Sequence, residues 1–245
     1  MSETWIILGA TSAIARAFSR KIAMRGDALI LAGRDMTELK LIATDCQIRG
    51  ASAAIAVAFD ARKPAGFNAV ISAATSQTGI VNVGVFTGSM PEQSLIDTDP
   101  TLIEGMIADS FTGPIRFLHQ IAPLLEEQEA GTVIGIGSVA GDRGRIGNYV
   151  YGAAKAGFHT YLSGLRNRLN RAGGHVVTVK PGFVDTAMTW GIEGMFLVAS
   201  PNKVADELLK AVRKRRNVIY TPFFWRYIML IIKNVPEFIF KKLSI

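Results

Sequence analysis

Short apolar runs alternate with longer amphipathic stretches along almost the whole chain, and this alternation is what most constrains the fold. The runs are four to six residues long, which is typical of buried strands and too short for helices. Strands that alternate with helices predict a mainly parallel sheet with helices on both faces. Seven runs are predicted as strands: Thr4–Leu8, Ala28–Ala32, Ala53–Ala58, Ala69–Ser72, Thr132–Ile136, His175–Val179 and Asn217–Tyr220.

The helical stretches and the chain length complete the predicted fold. Helices are predicted over Ala13–Arg25, Met36–Arg49, Thr101–Glu127, Tyr149–Asn170 and Asn202–Arg213. Pro114 and Pro123 are expected to kink or divide the third of them. A chain of 245 residues can bury one α/β core. We predict a single Rossmann-type, doubly wound domain over residues 1–221, with an amphipathic tail over residues 222–245 that either belongs to the domain or contacts a membrane surface.

Cysteine and histidine usage narrows the chemistry. The single cysteine, Cys46, excludes an intramolecular disulfide and fits a reducing compartment. His119, His159 and His175 are scattered without metal-site spacing, so we expect no metal and predict ordinary core or surface roles for them. The N-terminus enters an apolar run without the features of a signal peptide. We therefore predict a cytoplasmic protein, with the inner face of the membrane as a candidate location.

The formal net charge of +7 fits nucleic acid, an anionic membrane or phosphorylated ligands. The chain contains no recognisable nucleic-acid-binding motif, so we expect no nucleic-acid partner. Cations cluster late and then punctuate an apolar tail, which favours peripheral contact with a membrane: Lys210, Arg213, Lys214, Arg215, Arg216, Arg226, Lys233, Lys241 and Lys242.

Tyr151 and Lys155 lie four residues apart in a predicted helix, so their side chains share one face and can converge on one ligand. An ammonium group favours ionisation of a nearby phenol, so we expect Lys155 to lower the pKa of Tyr151 from about 10. Tyr151 could then protonate a carbonyl oxygen. Ser138 ends a strand thirteen residues upstream, at the edge where open α/β sheets bind ligands. Taken alone, the Tyr151 and Lys155 pair could also be a solvated helix face.

A glycine-opened turn follows the first strand, where backbone N–H groups and a helix dipole can receive a pyrophosphate. Only Gly9 matches a glycine-rich fingerprint, because Ala13 and Ala15 replace the later glycines. A tight turn without a ligand is the alternative interpretation. The predicted cofactor-binding residues in this turn are Gly9, Thr11, Ser12, Ala13 and Ile14.

Arg34 follows the second strand, where a dinucleotide fold reads the adenosine ribose. An arginine there can pair with the 2′-phosphate of NADP(H), which we therefore favour over NAD(H). Asp35 could instead accept from a free 2′-hydroxyl, but Asp35 to Glu38 also matches a capping box, and an N-cap role is predicted for Asp35. Asp60 ends the third strand and either contacts adenine or caps the next turn.

Together these residues resemble the short-chain dehydrogenase/reductase family across nearly the whole chain. The resemblance implies that Ser138 orients the substrate oxygen, that Tyr151 transfers the proton, and that Lys155 binds the nicotinamide ribose and lowers the pKa of the tyrosine. It also implies a homodimer or homotetramer formed through two long helices. The family's Pro-Gly segment beside the nicotinamide corresponds to Pro181, Gly182, Val184 and Thr186.

The chain departs from the family pattern in two further places. Ser72 to Thr75 stand where the family has Asn-Asn-Ala-Gly after the fourth strand, so the cofactor contacts there fall to Ala73 and Ala74. Ser110 corresponds to the asparagine of the catalytic tetrad, and a proton relay would then run through backbone and water. Trp190 and Met195 lie where a substrate loop belongs, either lining a pocket or packing.

The segment from Tyr220 to Ile245, together with the two motifs around Gly9 and Tyr151, is most similar to the decaprenylphosphoryl-2-keto-erythro-pentose reductase branch. That resemblance implies reduction of a polyprenyl-phosphate-linked 2-keto sugar. The tail is too short and too punctuated to span a membrane but could lie in the interface. Packing over a pocket or a subunit contact is the alternative.

Two other classes of function stay open at this point. A soluble ketone, a 3-ketoacyl thioester or a hydroxysteroid-like alcohol could be the substrate of the same chemistry. A nucleotide-sensing scaffold without turnover would fit the substitutions Ala13, Ala15, Ser72 and Ser110. The intact set of Ser138, Tyr151 and Lys155 favours an enzyme, because binding alone needs no proton donor.

Overall fold

Seven strands form one parallel sheet in the computed structural model, which describes residues 2–187 and 197–243. The strands are β1 (Glu3–Leu8), β2 (Ala28–Gly33), β3 (Ala53–Ala58), β4 (Ile80–Val85), β5 (Thr132–Ile136), β6 (His175–Pro181) and β7 (Val218–Thr221). Their order in the sheet is β3-β2-β1-β4-β5-β6-β7, and all six pairings are parallel. The order reverses between β1 and β4, which makes a ligand-binding crevice at the carboxyl ends of these strands.

Helices cover both faces of the sheet. They are α1 (Ala13–Ala23), α2 (Met36–Ile48), α3 (Phe67–Thr75), α4 (Gln93–Thr98), α5 (Leu102–Ile107), α6 (Gly113–Glu127), α7 (Tyr149–Asn170), α8 (Pro201–Arg213), α9 (Trp225–Asn234) and α10 (Glu237–Phe240). Residues alternate between two cores along each strand: Trp5 and Ile7 pack with α1, α2 and α8, whereas Ile6 and Leu8 pack with α3, α6 and α7. The predicted single Rossmann-type domain with a seven-stranded sheet is confirmed.

The position of the fourth strand was predicted wrongly. Residues Ala69 to Ser72 lie within α3, and the strand is formed by Ile80–Val85 instead. Asn82 and Gly84 interrupt the apolar pattern of β4 and hide it in the sequence. Asn82 is tolerated there because its side chain accepts from the Thr132 N–H at 2.7 Å and so replaces a bond of the ladder to β5.

The predicted helix over Thr101–Glu127 is divided, as its prolines suggested. A π-helical turn, Ala108–Thr112, separates α5 from α6, and Pro114 lies in the first turn of α6, where its missing N–H has no helical partner to lose. Pro123 lies inside α6 without ending it. Such π-turns occur frequently at functional sites.

One face of the tail is packed against the domain. Trp225 and Met229 of α9 are 2% and 0% exposed and contact Val139, which lies in the loop after β5. Arg143 from the same loop donates to the carbonyl oxygens of Ile232 and Val235 at 2.7 and 2.6 Å. No helix among the described residues is long and apolar enough to cross a membrane. The division at residue 221 stays a prediction.

Candidate active site

Ser138, Tyr151 and Lys155 meet at the carboxyl end of β5. Ser138 follows that strand and caps a short 3-10 turn, Val139–Asp142, by accepting from the Ala140 N–H at 3.1 Å. Tyr151 and Lys155 project from α7 and are 6% and 3% exposed. The Tyr151 hydroxyl is hydrogen-bonded to Ser138, and the Lys155 ammonium lies 5.7 Å from the centre of the Tyr151 ring. The structure thus brings the predicted catalytic residues together.

Burial dominates the protonation of this group. It raises the pKa of Tyr151 to about 12, although the hydrogen bond with Ser138 acts in the opposite direction. Burial also lowers the pKa of Lys155 to about 8. The expected lowering of the Tyr151 pKa by Lys155 is therefore wrong for this structure. Lys155 donates instead to the Ile136 carbonyl at 3.0 Å, and the cost of burying a phenolate is the larger effect.

A cleft runs along the carboxyl edge of the sheet past the glycine-opened turn. Gly9 has φ of 77°, and a Cβ there would lie 3.0 Å from backbone atoms of Phe86 and Thr87, so the turn requires glycine. Gly9, Thr11 and Ser12 line the cleft. Ser12 also caps α1 by accepting from the Ala15 N–H at 3.2 Å. Ala13 and Ile14 form the first turn of α1, and their cofactor contacts stay predictions.

The residues predicted to read the adenosine end lie at the far end of this cleft. Arg34 is exposed and lines it, and among the described residues no carboxylate lies within ion-pair distance of its guanidinium. Asp35 caps α2 by accepting from the Glu38 N–H at 3.0 Å, as predicted. Asp60 caps the next turn by accepting from the Arg62 N–H at 2.9 Å and also lines the cleft, while its contact with adenine stays a prediction.

The loop after β4 contributes to the cleft where sequence reasoning missed it. The cleft is lined by Phe86, Thr87 and Gly88. The prediction that Ala73 and Ala74 follow the fourth strand is wrong, because both residues lie in α3. Ala74 is fully buried in the core beneath the sheet. The signal that could have found the loop is the pair of glycines at 84 and 88, which brackets the end of a strand.

Ser110 meets this loop from the π-helical turn. Its hydroxyl accepts from the Ser89 N–H and donates to the Ser89 carbonyl, both at 3.2 Å. A Cβ at Gly88 would lie 3.2 Å from Lys155 Nζ and 3.4 Å from Ser110 Oγ, so the backbone there approaches both residues. The Ser110 hydroxyl thus fixes the loop, and the relay proposed for this position stays a prediction.

A further ion pair was not found from the sequence. Asp109 precedes Ser110, lines the cleft and accepts two bonds from Arg62, at 2.9 and 2.7 Å. This bidentate pair ties the π-helical turn to the segment after β3. Although burial opposes it, the pairing with Arg62 holds the pKa of Asp109 below its usual value.

The Pro-Gly segment lies at the end of β6. Gly182 has no room for a side chain because a Cβ would overlap the Trp225 indole of the tail. Val184 is 3% exposed and packs in the core, with a backbone bridge to Ala199. Cofactor contacts stay predictions for the four residues of this segment, Pro181, Gly182, Val184 and Thr186. Trp190 and Met195 lie outside the described residues.

Comparisons with known proteins agree with this geometry. The sequence matches the short chain dehydrogenase family over residues 3–195. It is 27% identical over 239 residues to an uncharacterized oxidoreductase of Mycobacterium tuberculosis, covering 97% of this chain and 96% of that one.

Solved structures share the fold. One is a short-chain dehydrogenase from Sphingobium yanoikuyae in complex with NADPH, with a TM-score of 0.80, 24% identity and 97% of each chain covered. Another is a short chain dehydrogenase/reductase from Burkholderia phymatum in complex with NAD, with a TM-score of 0.82, 22% identity and 92% and 91% of the two chains covered. The chain belongs to the short-chain dehydrogenase/reductase family and is an NAD(P)-dependent oxidoreductase.

Proposed function

We propose that this oxidoreductase reduces a ketone to a secondary alcohol and uses NADPH to do so. The observation that carries the proposal is the convergence of Ser138, Tyr151 and Lys155 in a buried group at the end of β5. A serine hydroxyl beside a protonated phenol can hold and protonate one carbonyl oxygen. With its pKa at about 12, Tyr151 keeps its proton at neutral pH and so begins the reaction as an acid.

The residues present fit a dinucleotide. The turn at Gly9 opens onto α1, whose N-terminal N–H groups suit a pyrophosphate, and glycine is required there by the close backbone of Phe86 and Thr87. Among the described residues no carboxylate lies within ion-pair distance of Arg34, which suits a 2′-phosphate, while Asp35 is engaged as a helix cap. Bound NADPH supplies the hydride.

The remaining steps fall to side chains of this chain. Ser138 orients the substrate oxygen, and Tyr151 delivers its proton as negative charge develops there. Lys155 lies beside Gly88 and close to Tyr151, where its ammonium can hold a ribose hydroxyl and stabilise the resulting phenolate. Its pKa of about 8 leaves Lys155 largely protonated at neutral pH.

For the substrate we propose a polyprenyl-phosphate-linked 2-keto sugar, held where the tail contacts an anionic lipid surface. The outer face of α9 and the turn before it support this: Phe223 in the turn is 69% exposed, and Tyr227, Leu230 and Ile231 on the helix are 61%, 60% and 69% exposed. This apolar stripe is additional to the buried face that anchors the helix. Exposed stripes of this kind mark interaction surfaces.

The charges of the tail favour lipid over a second copy of the chain as its partner. Residues 223–243 carry four cations and one acid, Glu237, which is paired with Arg143 at 2.8 Å. Two copies meeting at this face would bring like charges together, whereas anionic headgroups would neutralise them. Along the chain, β7 separates the cluster at residues 210–216 from the tail.

Arg145 supports a phosphate-bearing substrate. It lies in the loop that joins Ser138 to Tyr151, its Nε is buried without a partner, and its Nη2 contacts the sulfur of Met229 in α9 at 3.0 Å. No carboxylate of the described residues lies within ion-pair distance of it, and burial lowers the pKa of Arg145, although the charge of Asp142 acts in the opposite direction. Burial of this cation costs more than the charge of Asp142 compensates, and a phosphate ligand would offset that cost.

The test of the phosphate site compares dihydroxyacetone phosphate with dihydroxyacetone as ketone probes. We expect Arg145→Gln to raise KM for the phosphate ester by about tenfold, the value of one charge-assisted hydrogen bond, and to leave KM for the neutral ketone unchanged. Arg171→Gln, which alters an exposed arginine at the end of α7, is the control. Equal effects on both ketones would rule out a phosphate contact.

The test of the reductase itself is NADPH oxidation with a panel of ketones that includes a polyprenyl-phosphate-linked 2-keto sugar. Turnover of the lipid-linked sugar supports the full proposal. Turnover of only water-soluble ketones or 3-ketoacyl thioesters keeps the reductase and rejects its proposed substrate. NADPH binding without turnover of any ketone would favour the nucleotide-sensing scaffold.

A further inference from the structure

His159 lies directly behind the loop that carries Ser138. It follows Lys155 by four residues on α7, so Tyr151, Lys155 and His159 share one face of the helix. The His159 side chain is only 10% exposed. The backbone N–H of Ser138 donates to its Nε2 at 3.3 Å. The ring therefore supports the main chain of the residue whose hydroxyl contacts Tyr151.

The loop is shaped to fit this ring. Gly137 and Gly141 flank the Ser138 turn on either side. A Cβ at Gly137 would overlap the imidazole, and one at Gly141 would lie 2.8 Å from its Cε1. Both glycines thus leave room for the ring, so a change at His159 would remove contacts on both sides of Ser138.

Asp142 determines which nitrogen of the ring carries the proton. Because Nε2 accepts from Ser138, the neutral ring carries its proton on Nδ1, which lies 3.8 Å from Asp142 Oδ1. That distance is too long for a hydrogen bond, but the carboxylate favours the proton on its side. Asp142 is fixed in turn by Lys180 Nζ at 2.5 Å and by the Tyr220 hydroxyl at 2.6 Å.

The surroundings keep the imidazole neutral. Burial lowers the pKa of His159 to about 3, and Lys180, Lys155 and Lys233 act in the same direction, while Asp142 opposes them. At working pH the ring therefore retains a lone pair for Ser138. A protonated ring would set an N–H against the N–H of Ser138 and would break the contact.

We propose that His159 is a positioning residue whose Nε2 fixes the Ser138 backbone and so keeps the Ser138 hydroxyl in place beside Tyr151. The kinetic consequence rests on the proposed reductase function, whereas the structural consequence does not. Neither the spacing of the catalytic residues nor the scattered histidines of the sequence indicated this role.

The kinetic test compares His159→Leu, which removes the acceptor, with His159→Gln, whose amide oxygen can still accept from Ser138. We expect His159→Leu to lower kcat by about 10- to 100-fold, the scale of a small misplacement in a catalytic group. NADPH affinity should not change, and His159→Gln should recover most of the rate. The basic limb of the pH profile should move upward in His159→Leu, because the Ser138 hydrogen bond lowers the pKa of Tyr151.

Hydrogen exchange of the peptide spanning residues 137–141 supplies a readout that needs no turnover. Exchange of the Ser138 amide should be faster in His159→Leu and close to wild type in His159→Gln. If His159→Leu does not fold, His159→Asn replaces it, because its shorter amide does not reach Ser138. Equal rates and equal exchange in the Gln and Leu variants would overturn the proposal. A wild-type protein that reduces no ketone would count against the reductase function only, since the exchange comparison would still decide the role of His159.

Discussion

The cofactor end and the reaction end of the candidate site are built from different kinds of groups. At the cofactor end, backbone groups of the Gly9 turn and one exposed side chain, Arg34, line an open groove. At the reaction end, Ser138, Tyr151 and Lys155 are held among buried charged and polar groups. The first end is thus formed mainly by backbone groups, and the second by buried side chains.

This difference determines where electrostatics matter. The pKa values of Tyr151, Lys155 and His159 are all displaced strongly by burial, to about 12, about 8 and about 3. Variants at the reaction end should therefore change rates and pH profiles, whereas variants at the cofactor end should change affinity. The tail forms a third region. Variants on its outer face should change neither the rates nor the nucleotide affinity, but only where the protein lies.

Replacing Tyr151 by Phe should have the largest effect on the reaction end. It removes the proton donor, so we expect kcat to fall by about 10²- to 10⁴-fold with NADPH affinity retained. Steady-state kinetics and a fluorescence titration measure the two quantities. Tyr149→Phe is the matched control, because that hydroxyl contacts Asp97 at the surface. A Tyr151→Phe enzyme that keeps its rate would remove Tyr151 from the mechanism.

Replacing Arg34 by Ala should affect only the cofactor end. Loss of a charge-assisted contact with the 2′-phosphate should weaken NADPH binding by about 10- to 100-fold and leave NADH binding unchanged. Lys40→Ala removes an exposed cation from the neighbouring helix α2 and controls for net charge. Equal weakening of both nucleotides would contradict the proposed preference for NADPH.

Replacing Leu230 and Ile231 by Ser should distinguish the role of the tail from that of the cleft. Both side chains are exposed, so we expect unchanged thermal stability but about tenfold weaker binding to vesicles containing phosphatidylglycerol. Leu41→Ser with Ile48→Ser, two exposed apolar positions on α2, is the matched control. Vesicle binding that is absent in the wild type, or equal in all three proteins, would argue against the lipid surface.

Replacing Lys155 by Met should also change how stability depends on pH, and this is the smallest of the effects that we expect. The folded pKa of about 8 lies below the ordinary value of 10.5, so the folded state loses this proton first and gains stability as pH rises between those values. Lys155→Met should therefore be more stable than wild type at pH 7, by an amount that shrinks towards pH 10. Thermal melts at both pH values measure this, and a constant difference would contradict the buried ammonium.

Local sequence patterns predicted most of the fold. The limits of α7 were predicted at both ends because a helical pattern without proline runs from Tyr149 to Asn170. The limits of β4 were not, because Asn82 and Gly84 fit the strand only through contacts with its neighbours. An apolar run of four residues in α3 looked equally strand-like, and only the tertiary structure distinguishes the two.

The candidate site, too, has features that the sequence predicts and features that it does not. The spacing of Tyr151 and Lys155 places them on one helix face, which a sequence can show. The pairing of Arg62 with Asp109 and of Asp142 with Lys180 joins segments that are far apart in the chain, and no local pattern reports it. The wrong direction for the Tyr151 pKa has the same origin, because burial is a property of the folded protein.

The shared face of α7 has a consequence for how this protein can change over time. Tyr151, Lys155 and His159 recur every four residues on one rigid helix, so their separations of about 6 Å follow from helix geometry and not from loops. Exposed positions of the tail can therefore change while the proton donor, the lysine and the histidine keep their spacing. The spacing of these three side chains thus depends on one helix alone.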